Sequence, residues 1–157
     1  MKKITHSTVR LAGVEDTIEL VELTHAINEE SNYGLEYNKE NAFKYLYNSI
    51  WYDGFAIVVA EKDDEIVGYV TVGTSLEYHD KPFCYIGKFF VFLSGRRTDA
   101  SRKLITYALK WAKEQDCTHV FVTATAGLDK KEQQLFINLM KKSGLVECGP
   151  VLSLKIK

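Results

Sequence analysis

The stretch SGRRTDASRKLI, residues 94–105, places three arginines, a threonine, an aspartate and two serines where a strand-like run meets a helix-like run. A strand that turns tightly into a helix presents unpaired backbone N–H groups, and with the helix dipole these suit a phosphate. Arg96, Arg97 and Arg102 add positive charge, and a guanidinium can hold two phosphate oxygens at once. Asp99 opposes that chemistry. A carboxylate about 4 Å from one phosphate charge costs roughly 1 kcal/mol in water-like surroundings and about 4 at an effective dielectric of 20. Either the arginines offset this cost, or Asp99 turns inward to cap the helix and competes for the same N–H groups. A basic surface turn before an ordinary capped helix is the plainer alternative. The stretch is no Walker A loop, since it lacks the spaced glycines and the Lys-Ser/Thr pair.

Those residues need a strand before them and a helix after them, and the chain supplies both. PFCYIGKFFVFL reads as a strand, and DASRKLITYALKWAKEQ is the clearest helix, with Leu104, Ala108, Trp111 and Ala112 on one stripe. Upstream, STVRLA (7–12) reads as a short strand. EDTIELVELTHAINEE follows as a helix with Asp16 as its N-cap and Ile18, Val21, Leu23, His25 and Ala26 in its middle. NKENAFKYLYNSIW is a second helix, capped by Asn38, with Phe43, Leu46, Tyr47 and Ile50 on one face. FAIVVAEKDDEIVGYVTVGTSLEY is two strands joined by the charged turn KDDE. THVFVTAT, KKEQQLFINLMKKSG and VLSLKIK then read as strand, helix ending at Gly144, and last strand. The predicted order is β-α-α-β-β-β-α-β-α-β, an α/β arrangement with a mixed central sheet and helices on both faces.

A chain of 157 residues fits a single domain spanning 1–157, with no repeat or linker dividing it. No apolar run approaches the roughly 20 residues that span a bilayer. MKKITHSTVR lacks the apolar core of a secretion signal. Cys84, Cys117 and Cys148 are odd in number and widely spaced, so no metal site is expected and the simplest reading is reduced thiols in the cytoplasm. The net charge of −1 conceals a split: residues 1–95 carry 8 basic and 15 acidic side chains, residues 96–157 carry 12 and 6. The basic part suits a polyanion and the acidic part a cation, though two solvated surfaces would give the same split. The balance argues against a dedicated nucleic-acid binder.

In element order over nearly the whole chain, and in VFLSGRRTDASRKLI, the sequence resembles the GNAT superfamily of acetyl-CoA-dependent N-acyltransferases. The family pattern is Val-x-Pro-x-x-Arg-Gly-x-Gly-x-Gly/Ala-x-x-Leu. Val91, Arg96 and Leu104 match it, and Ser101 stands at the Gly/Ala position. Leu93 replaces the proline, and Arg97 and Asp99 replace the first two glycines. Loops altered in this way occur in GNAT-like proteins of phages and mobile elements. The resemblance implies that acetyl-CoA is held by Val91, Phe92, Leu93, Arg96, Arg97, Thr98, Asp99, Ala100, Ser101 and Arg102. Amides of residues 96–101 would cradle its pyrophosphate, and the strand edge at Val91–Leu93 would pair with its pantetheine arm. One strand N–H would face the thioester oxygen, where charge develops as an amine attacks.

Aminolysis of a thioester needs a base for the amine and an acid for the departing thiolate. Many GNAT enzymes take the acid from a tyrosine whose position here is Met140, and Gln133 stands where an asparagine is common. Tyr85, six residues before Val91, and His79, with Glu77 beside it, are the substitutes the sequence offers. His6, His25 and His119 read as structural. Tyr33, Tyr37, Tyr45, Tyr47, Trp51 and Tyr52 concentrate where GNAT folds build one wall of the acceptor pocket. With Glu29, Glu30, Glu36 and Glu40 nearby they suit a primary amine of a protein, a peptide or a small molecule. Packing of the second helix accounts for some of them without a ligand. GNAT proteins are often dimers. The competing expectation is a non-catalytic GNAT-like domain that binds a protein partner, favoured by Met140 and Asp99.

Overall fold

The computed structural model describes residues 6–30, 34–92, 95, 98–123 and 130–149. The elements are β1 (Thr8–Leu11), a single 3-10 turn (Val14–Asp16), α1 (Thr17–Glu30) and α2 (Lys39–Trp51), then β2 (Phe55–Lys62), β3 (Glu65–Ser75) and β4 (Phe83–Val91). They are followed by α3 (Ala100–Glu114), β5 (Val120–Val122) and α4 (Lys130–Lys142). The expected final strand, VLSLKIK, lies outside the described residues. The sheet runs β1-β2-β3-β4-β5, antiparallel throughout except for the parallel β4–β5 pair. This is the mixed α/β sheet the sequence implied, with helices on both faces.

The two faces follow from strand alternation. Ala56, Val58, Ala60, Val70, Val72, Cys84 and Ile86 point to the α3 side, where Leu104, Ile105, Ala108 and Trp111 meet them and Met140 of α4 closes the edge. Ile57, Val59, Ile66 and Tyr69 point to the other side, under Leu20 and Val21 of α1 and Leu46 of α2. Leu104 and Ile105 are fully buried. Burial at that level contributes about 1.5–3 kcal/mol for each such side chain. The β2–β3 turn is the charged KDDE segment, with Asp63 (φ 54°) and Asp64 (φ 64°) both left-handed, as a two-residue hairpin of this hand requires.

Local details depart from the periodic reading. Asp16 does not cap α1. It closes the 3-10 turn by accepting the Gly13 N–H at 2.8 Å and holds Arg10 at 2.6 and 2.9 Å. Asn38 caps α2 as expected, accepting the Asn41 N–H at 2.9 Å. The buried stripe of α2, however, is Ala42, Leu46, Ser49 and Ile50. Phe43 and Tyr47, grouped with Leu46 by the periodic reading, are exposed and stack on each other at 5.8 Å. Ile18 is likewise exposed, because α1 buries the Thr17–Leu20–Val21 side.

Candidate active site

β4 changes partners halfway along its length. Residues 84–86 pair in parallel with 120–122 of β5, and no pairing with β5 continues past Ile86 among the described residues. Against β3, Val72 faces Ile86 but Val70 faces Phe89, so Gly87 and Lys88 together oppose the single residue Thr71. That is a β-bulge, which bends the strand and increases its twist. The bulge falls where the β4–β5 pairing ends, and among the described residues no strand pairs with residues 87–90 on that side.

Alternation decides which groups that edge presents. The Phe92 N–H donates to Val67 O at 2.9 Å, so it is committed to β3. Counting back through the ladder, the Phe90 N–H also turns toward β3 and the Phe89 N–H turns away from it. The ligand-pairing edge expected at Val91–Leu93 lies just beyond this bulge. Leu93, Arg96 and Arg97 lie outside the described residues.

The strand hands over to α3 through tight turns. Gly95 N–H donates to Phe92 O at 2.9 Å and Thr98 N–H to Gly95 O at 3.0 Å. Gly95 is buried so closely that an added Cβ would lie 2.7 Å from Val67 O, which explains a glycine there. The Ala100 N–H is taken by the Thr98 hydroxyl at 3.1 Å and the Lys103 N–H by Asp99 O at 3.0 Å. Among the described residues nothing accepts from the Ser101 and Arg102 amides. Arg102 is exposed beside them.

Asp99 occupies the N-cap position yet makes no capping bond. Its buried carboxylate points to the start of β1, accepting the Ser7 hydroxyl at 2.6 Å and the Ser7 N–H at 2.9 Å. Lys103 approaches the other oxygen at 2.9 Å and His6 at 3.3 Å. Burial pushes this carboxyl up, but the hydrogen bonds from Ser7, Lys103 and His6 outweigh it and hold the group well below the usual carboxylate range. Of the two roles weighed for Asp99, the side chain does not perform the capping of α3. It is neutralised by Lys103 and turned away from the helix amides.

Tyr85 lies one residue before the point where β4 and β5 part, half exposed on the α1–α2 side. Its ring crosses Gly73 of β3: a Cβ on Gly73 would meet the Tyr85 Cζ and Oη at 2.6 Å. His79 sits in the β3–β4 turn, its ring 6.1 Å from that of Phe83. The length of β4, about 26 Å at the usual rise, separates that turn from the start of α3. Met140 is buried in the core beneath the sheet. Tyr45, Trp51 and Tyr52 are exposed along α2 and just after it, while Tyr37 is fixed by its hydroxyl donating to Val21 O at 2.8 Å. Sequence reading passed over Thr71, Gly87, Ser7 and Lys103. An isolated glycine inside the strand run FCYIGKFFV was the available signal for the bulge. The Ser7–Asp99 contact left no local trace.

Residues 20–137 match the acetyltransferase (GNAT) family, and the chain belongs to that family. No curated protein matches it. Among solved structures it is similar to an aminoglycoside acetyltransferase, meta-AAC0020, from an uncultured soil metagenomic sample in complex with sisomicin. That match has 21% identity and a TM-score of 0.71 over 96% of this chain and 95% of the other. It is also similar to the aminoglycoside 6'-N-acetyltransferase AAC(6')-IG from Acinetobacter haemolyticus, at 18% identity and TM-score 0.71 over 96% and 98%. A third is AAC(6')-Iy in complex with the bisubstrate analog CoA-S-monomethyl-acetylneamine, at 15% identity and TM-score 0.74 over 98% and 99%. At these identities the likeness is one of fold. No helix among the described residues is long and apolar enough to cross a membrane.

Proposed function

We propose that this chain is an N-acetyltransferase that takes the acetyl group from acetyl-CoA and passes it to an amine by direct attack. The observation that carries the reading is the end of the β4–β5 pairing after Ile86, next to a helix start whose Ser101 and Arg102 amides meet no acceptor among the described residues. An open strand edge fits an amide-bearing arm, and the first turn of α3 fits a pyrophosphate. Asp99 does not spoil that fit, because Lys103 neutralises it and it faces the Ser7 side. Val91, Phe92, Thr98, Ala100, Ser101 and Arg102 would line the cofactor site, with Leu93, Arg96 and Arg97 completing it from the sequence pattern. When bound, acetyl-CoA supplies an activated acyl carbon.

In the reaction a neutral amine forms the new C–N bond as the C–S bond breaks. The amine loses a proton to a base or bound water, and the thiolate gains one. The Phe89 N–H is the donor we assign to the developing oxyanion. Tyr85, at the apex of the opening, is the side chain we assign to the thiolate proton. Exposed aromatics on and after α2, with Glu36 and Glu40 nearby, suit a cationic acceptor. The aminoglycosides that solved relatives bind are therefore the first amines to try, with protein and peptide amines beside them. We read residues 1–157 as one domain working in the cytoplasm, a setting that the free thiols of Cys84, Cys117 and Cys148 support.

The buried Met140, where the family's acid commonly stands, favours a second reading, a non-catalytic domain binding a protein partner. Turnover decides between them. Release of free thiol from acetyl-CoA with any member of an amine panel supports the enzyme, and none across the panel supports the binding module. Thermal unfolding with acetyl-CoA at about 100 times its dissociation constant should raise stability by roughly 2.7 kcal/mol. For this size of domain that is a midpoint rise of about 5–10 °C.

A further inference from the structure

The bulge in β4 is held by a side chain. Thr71 lies in the buried centre of β3 and faces Gly87 and Lys88, where two residues of β4 stand against one. A bulge disrupts the backbone ladder and leaves its extra residue without an ordinary partner. The Thr71 hydroxyl supplies one, accepting the Lys88 N–H at 2.7 Å. The same oxygen fills the space a side chain at position 87 would need, since a Cβ there would lie 2.8 Å from it. Thr71 and Gly87 therefore fit each other.

The consequence is a reversal of alternation along β4. Cys84 and Ile86 pack on the α3 side, and so do Phe89 and Val91, a step of three residues where an unbroken strand takes two. The backbone reverses with the side chains. Before the bulge the Cys84 N–H donates toward β5, to His119 O at 2.8 Å. An unbroken strand would keep even-numbered N–H groups on that side and turn Phe89 toward β3. With the bulge, the Phe89 N–H faces away from β3, on the side where no described strand pairs with it.

We propose that Thr71 is a positioning residue for acetyl transfer: its hydroxyl fixes the β4 bulge and so aims the Phe89 N–H at the place of the thioester oxygen. The assignment rests on the acetyl-transfer reading above. Thr71→Val keeps the side chain's shape and removes the acceptor, and Thr71→Ser keeps the acceptor. Two readouts are compared with wild type: amide hydrogen exchange at Lys88 without ligand, and kcat and KM for acetyl-CoA with an amine that wild type acetylates. Thr71→Val should exchange Lys88 faster by about tenfold or more and lose about tenfold or more in kcat, with KM for acetyl-CoA little changed. Thr71→Ser should match wild type in both. Unchanged Lys88 exchange in Thr71→Val overturns the assignment whatever the activity. So does an unchanged kcat, or a loss in Thr71→Ser equal to that in Thr71→Val. If Thr71→Val fails to fold, Thr71→Ala removes the same acceptor and is read the same way. A wild type that acetylates no amine sinks the acetyl-transfer reading itself, a result distinguishable from a failure confined to the variants.

Discussion

Ser7 and Asp99, 92 positions apart, are joined through one carboxylate oxygen that accepts both the Ser7 hydroxyl, at 2.6 Å, and the Ser7 amide, at 2.9 Å. Lys103 closes the cluster, reaching Asp99 at 2.9 Å and donating to Ser7 O at 2.6 Å. The entry to β1 is thereby pinned to the first turn of α3. A residue that looked like an intruder in an anion site is a tether between two distant elements.

Asp99→Gly should therefore cost stability. It removes a buried carboxylate with several charge-assisted partners and leaves the Ser7 hydroxyl and Lys103 to find water, a loss of about 2–3 kcal/mol. Chemical denaturation would show it as a lower midpoint with an unchanged slope. Affinity for acetyl-CoA in the folded protein should be preserved, because the carboxylate points away from the α3 amides. A variant as stable as wild type would remove the tether from the account.

The same cluster sets an acid limit. Asp99 ionises in the folded chain at a lower pH than in the unfolded chain, and Asp16, held by Arg10, shifts in the same direction. The folded state thus binds fewer protons through the acid range. Its stabilisation is complete above about pH 5 and is lost as pH falls through and below the ordinary carboxylate range near 4. Unfolding midpoints measured from pH 7 downward should decline below about pH 5 in wild type and more gently in Asp99→Asn. Parallel curves for the two proteins would contradict the assignment.

What the sequence revealed followed the range of the interaction. The α3 stripe of Leu104, Ala108, Trp111 and Ala112 is set by a local period, and the structure buries all four. The Asn38 cap and the Asp63–Asp64 turn are also local. Phe43 and Tyr47 were misassigned because hydrophobicity alone cannot say which side of a mixed helix meets the sheet. Thr71 was invisible for a different reason. Its hydroxyl matters only once β3 and β4 are in register, and no spacing in the chain encodes that pairing.

Gly87→Ala should disrupt the bulge sterically. The added methyl would sit 2.8 Å from the Thr71 oxygen, and Thr71 is buried. Overpacking of this kind costs about 1–3 kcal/mol. In the double variant Thr71→Ala/Gly87→Ala the clash is gone, so the two losses should be less than additive in thermal unfolding. Additive losses would mean that the glycine serves backbone freedom and not the threonine.

Tyr85 and His79 make the last contrast. Tyr85 stands one residue before the β4–β5 pairing ends, and its hydroxyl lies over Gly73 on the α1–α2 side of the sheet. Tyr85→Phe keeps the ring and removes the proton. If the phenol protonates the departing thiolate, kcat should fall by about 10²-fold or more while KM for acetyl-CoA holds. His79 is at the tip of the β3–β4 turn, engaged with Phe83 and a strand's length from α3. His79→Ala should leave kcat and KM as they are. Steady-state kinetics on the two variants with one acceptor amine checks both expectations. A full-rate Tyr85→Phe would leave water as the proton source, and a slow His79→Ala would mean that the turn reaches the acceptor during turnover.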